Sequence, residues 1–301
     1  MNVLSLRKVV KRYHNHTAVN EVSFDVPAGI IFGLLGPNGA GKTSLIRIIT
    51  RITAPDEGEV LINGEPLNHL HPNLIGYMPE ERGLYKKMEV GEQLMYLAQL
   101  KGLTAGDAKK QIKNWMEKFE ITSWWHKKIQ DLSKGMQQKV QFIATVVHDP
   151  KLIILDEPFS GLDPINSNLI KDEIQNLKNR GASILFSTHR MEQVEELCDN
   201  IVLINKGRII LDGPVSVIKS QYKDHIYELS VKGTNTLMEI PGLFNIKSGL
   251  SGNYVVAISE GHGPNEVLQA VMNQGLEVHK FNEILPGLNE IFIKKVNESN
   301  E

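Results

Sequence analysis

Apolar and polar positions alternate in short runs at the start of the chain. Residues 3–6 and 22–26 show the period of two expected of half-buried strands. Residues 29–35 are then continuously apolar, bounded by Pro27 on one side and by Gly36, Pro37 and Gly39 on the other. A short apolar run between turn signals predicts a strand buried on both faces. Leu45, Ile46, Ile48 and Ile49 recur at helical spacing, so a helix should begin close to Lys42. Turn dipeptides at Glu57-Gly58 and Asn63-Gly64 bracket a short strand over residues 59–62. From about Val90 to Val147 the pattern turns helical, as in Val140, Ile143, Ala144 and Val147. Strands at 152–155, 183–187 and 201–204 then alternate with helices at 165–178 and 191–197. That alternation predicts an α/β core with a mostly parallel sheet, interrupted by a helical subdomain over about 84–147.

Beyond about Ser220 the pattern changes again, to strands at 227–231, 254–258 and 277–281 and helices at 265–273 and 288–296. The expected organisation is a large domain over residues 1–218 and a small α+β domain over 219–301.

The segment Gly36-Pro-Asn-Gly-Ala-Gly-Lys42-Thr43 fills every fixed position of the phosphate-loop pattern, between a buried strand and a helix. Gly39 and Gly41 let the backbone approach phosphates, with Pro37, Asn38, Ala40 and Ser44 completing the loop and the first helical turn. Lys42 would reach the β- and γ-phosphates, and the Thr43 hydroxyl would bind Mg²⁺. A second pole is Leu152-Ile-Ile-Leu-Asp156-Glu157-Pro158, an apolar strand ending in two carboxylates. Asp156 is expected to hold Mg²⁺ and Glu157 to orient or deprotonate the attacking water. Taken alone, Asp-Glu at a strand end is more often a solvated edge.

Leu132-Ser133-Lys134-Gly135-Met136-Gln137-Gln138-Lys139 resembles the signature motif of ABC ATPases. Ser160-Gly161-Leu162-Asp163 resembles their D-loop, and His189 in Ser187-Thr188-His189 their switch histidine. Tyr13 lies where the family stacks an aromatic ring on adenine. The resemblance covers about residues 1–215 and implies an ABC-type phosphate-loop ATPase with an antiparallel β subdomain. It further implies an ATP-dependent dimer, homomeric or with a related subunit, in which Ser133 and Gly135 of one subunit close over ATP held by the other. Asp163 would couple the two sites, and His189 would contact the γ-phosphate. Three positions depart from the pattern: Lys134 replaces the first signature glycine, Met136 its glutamine, and Glu80 the Q-loop glutamine. A carboxylate at position 80 can still hold Mg²⁺ or its water.

Pro79-Glu80-Glu81-Arg82-Gly83-Leu84-Tyr85 and the Ser-Lys-Gly-Met signature resemble ATPase subunits of ABC-2-type exporters, the bacterial sodium-export group in particular. The tail from Leu285 to Ile293 resembles that group's accessory segment. The implied role is to power a separate integral membrane permease for efflux of sodium, a drug or another small solute, from the inner face of the cell membrane. The alternative is a non-transport ABC ATPase acting on nucleic acid or ribosomes. Composition argues against it: members of that kind carry tandem ATPase domains, long coiled-coil insertions or zinc-binding cysteines. This chain of 301 residues has one phosphate loop and one cysteine, Cys198. A formal net charge of −2 gives no global attraction for nucleic acid, and no nucleic-acid partner is expected. No stretch approaches the ~18–20 apolar residues of a membrane span, and no secretory leader is expected at Met1.

Overall fold

The two strands that open the chain are longer than their alternation predicts, β1 over Asn2–Tyr13 and β2 over His16–Pro27. They form an antiparallel hairpin whose ladder runs from Asn2↔Pro27 to Tyr13↔His16, with irregular register between. The computed structural model describes residues 1–81, 83–233, 236–250 and 252–299. Arg82, within the exporter-like segment, lies outside the described residues. After the hairpin come β3 (Ile31–Leu35), α1 (Lys42–Ile49), β4 (Glu57–Ile62), β5 (Glu65–Pro66) and β6 (Ile75–Met78). Helices α2 (Val90–Leu100), α3 (Ala105–Lys118) and α4 (Lys134–Val146) form the predicted helical stretch. They are followed by β7 (Leu152–Asp156), α5 (Pro164–Asn179), β8 (Ser183–Ser187), α6 (Met191–Leu197), β9 (Asn200–Asn205) and β10 (Arg208–Pro214).

The chain divides into two compact units, one of Met1–Val215 with Lys295–Glu301, the other of Ser216–Lys294. In the first, a sheet of order β10-β9-β3-β8-β7-β6 is parallel except at β10, which pairs antiparallel with β9. Every residue of β3, β7 and β8 is buried, as continuous apolar runs require in the middle of a covered sheet. A second, antiparallel sheet of order β2-β1-β4-β5 shares its core with the first. Leu4 and Val22 of this sheet, Leu45 and Ile49 of α1, and Leu34 and Ile154 of the parallel sheet belong to one buried cluster. That shared core fixes α1, and with it the phosphate loop.

The helical subdomain has its own aromatic centre, with the Trp115, Phe119 and Phe142 rings 5.7–6.3 Å apart. Helix α4 returns to the sheet. Its Gln141 Nε2 donates to the Pro79 carbonyl at 2.8 Å, just after β6.

The second unit continues from α7 (Val215–Gln221) through β11 (Ile226–Lys232), β12 (Phe244–Leu250), β13 (Asn253–Ile258), α8 (Pro264–Asn273) and β14 (Glu277–Ile284). Helix α9 (Leu288–Glu298) ends the described elements. The sheet, of order β12-β13-β11-β14, is antiparallel throughout. Tyr227, Leu229 and Val231 on alternate positions of β11 pack with Val267 and Val271 of α8.

Candidate functional site

The turn from β3 into α1 accepts glycine for steric reasons. Gly36 has φ +153°, and a Cβ there would lie 2.3 Å from the Ile204 carbonyl oxygen. Gly41 has φ +110°, and its Cβ would lie 2.2 Å from the Ala18 carbonyl oxygen. Both values fall in the region that L-residues avoid. The loop is therefore packed closely against β2 and β9 and leads directly into the N-terminus of α1 at Lys42, the end of a helix that favours anions. Lys42 Nζ donates to the carbonyls of Gly36 at 2.7 Å and Pro37 at 3.1 Å. Burial draws the Lys42 pKa below its ordinary value, opposed by the charges of Asp156, Glu157 and Glu80.

Strand β7 delivers Asp156, 6% exposed, and then Glu157 at φ +49°. Burial pushes Asp156 above the ordinary carboxylate range; Glu80 and Glu157 add to this, while the Ser187 hydroxyl and Lys42 oppose it. The Glu157 N–H donates to Ser187 O at 2.9 Å, tying the ends of β7 and β8 together. His189 follows β8 and approaches Glu157 Oε1 through its own N–H at 2.8 Å and its Nδ1 at 2.6 Å.

These elements surround one cleft of about 380 Å³, lined by Tyr13, Asn38–Ser44 in the loop and α1, Glu80, Asp156, Glu157 and His189. Gly36 and Pro37 do not line it; their carbonyls serve Lys42 instead. His16 and Ala18 also line the cleft and were not anticipated. The clue to His16 was the short His14-Asn15 link, which makes it the cross-strand neighbour of Tyr13.

Ser133, Gly135 and Asp163 lie elsewhere. They line a separate cavity of about 420 Å³ with Trp124, Lys134, Met136, Lys139, Gly161 and Asn166. Ser133 caps α4, accepting from the Met136 N–H at 3.3 Å, and Asp163 caps α5, accepting from the Asn166 N–H at 2.9 Å. The bond from Asn166 N–H holds the Asp163 carboxyl below its ordinary range. A Cβ at Gly135 would meet only ordinary contacts at 3.5 Å, so its own chain does not demand glycine there.

A third cavity, about 460 Å³ and mostly apolar, lies between α2, α4 and the segment after β6. Tyr77, Leu84, Leu97, Leu100 and Ala144 line it, and Gln141 and Pro79 form part of its wall. Tyr85 and Tyr96, 54% and 44% exposed, meet edge to face at 6.2 Å. Among the described residues no helix is long and apolar enough to cross a membrane.

The chain is similar to known proteins along most of its length. Residues 19–160 match the model of the ABC transporter family, and residues 213–296 that of the ATP-binding protein DrrA1-3-like C-terminal domain. Residues 128–193, from just before the signature to just past His189, also match an AAA domain family described as putative AbiEii toxin, type IV TA system. A Nod factor export ATP-binding protein I of Burkholderia lata is 34% identical, covering 83% of each chain. One solved structure, an ATP binding subunit of an ABC transporter, is 30% identical with a TM-score of 0.69, covering 73% of this chain and 93% of that one. An uncharacterized ABC transporter ATP-binding protein of Bacillus subtilis, YhaQ, is 43% identical over 98% of both chains. Likeness along nearly the whole length, with a phosphate loop and paired carboxylates meeting in one cleft, shows that the chain belongs to the ABC transporter ATP-binding proteins and is an ATP-binding, ATP-hydrolysing subunit.

Proposed function

We propose that two copies of this chain, or one copy and a related subunit, close head to tail over Mg²⁺-ATP and so drive a separate membrane permease in the export direction. The observation that carries this reading is the division of phosphate-binding groups between two cavities. Lys42, Thr43, Asp156, Glu157 and His189 share one cleft, whereas Ser133, Gly135 and Asp163 line another. A partner subunit supplies the missing half of each site. Position 135 supports this, because the chain's own packing leaves room for a methyl group there. The need for a bare backbone then arises where a partner's nucleotide approaches.

Within the cleft the loop N–H groups and Lys42 would hold the β- and γ-phosphates, with Tyr13 beneath the adenine. Thr43, Asp156 and Glu80 offer hard oxygen donors suited to Mg²⁺. Among the described residues no three His, Cys, Asp or Glu side chains gather closely enough to hold a metal alone. That fits an ion usually bound by one or two protein groups, substrate phosphates and waters. Mg²⁺ would supply neutralising charge to the phosphate oxygens. The water oxygen bonds to the γ-phosphorus as the bond from that phosphorus to the bridging oxygen breaks, and ADP leaves with the electron pair. Glu157 takes the water's proton, and His189 steadies the transferring group.

The apolar cavity beside α2 is the surface we assign to the permease. One short loop serves both functions: Pro79 lines this groove, and Glu80, the next residue, lines the nucleotide cleft. A segment pressed into the groove would bear on Pro79 and on Gln141, which holds it. Export is favoured by the Nod factor export relative. We further assign the ATPase to residues 1–218 and an accessory role to 219–301, at the cytoplasmic face of the membrane.

Complementation between two disabled proteins tests the shared site. Lys42→Ala breaks the phosphate loop and Ser133→Arg the signature side. Mixed together, they form some pairs with one intact composite site, and turnover should rise well above either protein alone. A mixture of folded variants with no gain would overturn the reading.

A further inference from the structure

One short loop after β8 converges on the Glu157 carboxylate. The His189 N–H and His189 Nδ1 both address Oε1, at 2.8 and 2.6 Å. Thr188 Oγ1 donates to the other oxygen, Oε2, at 3.1 Å. With hydrogen on Nδ1, Oε1 has donors for both lone pairs, while Oε2 retains one. We propose that Thr188 is a positioning residue, which fixes Oε2 of Glu157 as the atom that receives the proton of the attacking water. The proposal rests on Glu157 being the base.

Thr188 is built for a fixed role. It is fully buried, and its Oγ1 accepts the Arg190 N–H at 3.2 Å, which limits the hydroxyl's rotation. The single hydroxyl proton has two acceptors within reach, Glu157 Oε2 at 3.1 Å and Gln193 Oε1 at 3.4 Å. A carboxylate is the stronger acceptor, so the ionised glutamate holds the bond. Glu157 needs such support, since its φ of +49° lies in a region that a residue with a Cβ occupies only when its surroundings over-determine it. The loop secures it three ways: Ser187 O takes its N–H, His189 holds Oε1, and Thr188 holds Oε2. Without the hydroxyl, rotation about the last side-chain bond would carry Oε2 off the line to the water. Misplacement of a reacting group by about 1 Å lowers rates by up to a hundredfold.

The test is steady-state hydrolysis of Mg²⁺-ATP by the full chain, with each variant's melting temperature recorded. Thr188→Val keeps the shape and removes the hydroxyl; kcat should fall roughly tenfold or more with KM little changed. Thr188→Ser keeps the hydroxyl and should restore turnover. Gln193→Met removes the competing acceptor and should leave kcat near wild type. In a Glu157→Gln background, adding Thr188→Val should lower the residual rate no further, because the two residues act as one unit. Thr188→Ala repeats the measurement should valine disturb folding. Wild-type kcat in the valine and alanine variants, a serine variant as slow as valine, or a further drop in the Glu157→Gln background would each overturn the proposal. Full turnover by Glu157→Gln alone would instead remove the base on which it stands.

Discussion

Lys42 Nζ donates to the carbonyl of Gly36 at 2.7 Å, so the side chain folds back along its own loop. A second bond, to the Pro37 carbonyl at 3.1 Å, holds it there. Phosphate oxygens would exchange these neutral acceptors for charged ones, which pair more strongly with an ammonium. Lys42→Ala should therefore lose about 3–4 kcal/mol of transition-state stabilisation, by comparison with other preorganised donors. Phosphate release should fall to background while circular dichroism shows an intact fold. Wild-type turnover in a clean preparation would show that the cleft is not where ATP is hydrolysed.

Asp156 gives a prediction on stability. Its folded pKa is raised above 3.8, chiefly by burial, so between the unfolded and folded values the native state binds more protons. Stability is then lost as pH rises through that window, and above it the ionised carboxylate is a standing penalty without nucleotide. Asp156→Asn should remove the penalty. The nucleotide-free variant should melt higher, by a few degrees if the gain is about 1 kcal/mol, while its turnover disappears. Its melting temperature should also gain less than wild type on acidification. Scanning calorimetry in mildly acidic and mildly alkaline buffer checks both, and a variant less stable than wild type at alkaline pH would contradict the account.

Tyr13, 39% exposed, sits at the hairpin tip opposite His16, with Lys11 Nζ 5.6 Å from its ring centroid. An exposed ring of this kind has a face to offer a base. Tyr13→Ala should weaken ATP binding by about 1–2 kcal/mol, and Tyr13→Phe should restore it. Unchanged affinity in titration calorimetry would leave Tyr13 with a purely structural role in the hairpin.

The phosphate loop and the Asp156-Glu157 strand were legible because their chemistry is local. Each needs a buried apolar strand and a fixed order of residues immediately after it, and both are written consecutively. Strand β6 escaped, since four residues containing a glycine carry no usable period; Gly76 is there because a Cβ would sit 2.5 Å from the Thr145 carbonyl oxygen. The full length of β1 and β2 escaped for a different reason. Their outer halves are polar, with Lys11, Arg12 and His16 interrupting the alternation, and it is the ladder that makes them strands. β12 is an edge strand with most of its residues exposed, so burial wrote no pattern into it. The approach of Thr188 to Glu157 was invisible because the two residues are 31 apart in sequence and meet only when β7 and β8 pair.

Glu157→Gln offers the sharpest test of the paired site. Glutamine can keep an oxygen toward the His189 N–H, but where Oε2 stood it places an NH₂ group, which cannot take a proton from water. The Thr188 hydroxyl would then turn to Gln193 Oε1, its other acceptor at 3.4 Å. Hydrolysis should stall with the phosphate-binding groups untouched, and the ATP-bound form should accumulate. If Ser133 and Gly135 grip the nucleotide of a second subunit, the accumulated form is a dimer. Glu157→Gln with Mg²⁺-ATP should elute as a dimer by size exclusion with light scattering, and ADP should not substitute. Wild type should remain largely monomeric, because hydrolysis keeps reopening the pair. Adding Ser133→Arg should return the variant to monomer, since a long cation would stand at the start of α4 where the partner's phosphate and backbone meet. A Glu157→Gln protein that binds ATP tightly and stays monomeric would mean that the isolated subunit does not form the shared site, and that assembly requires the permease.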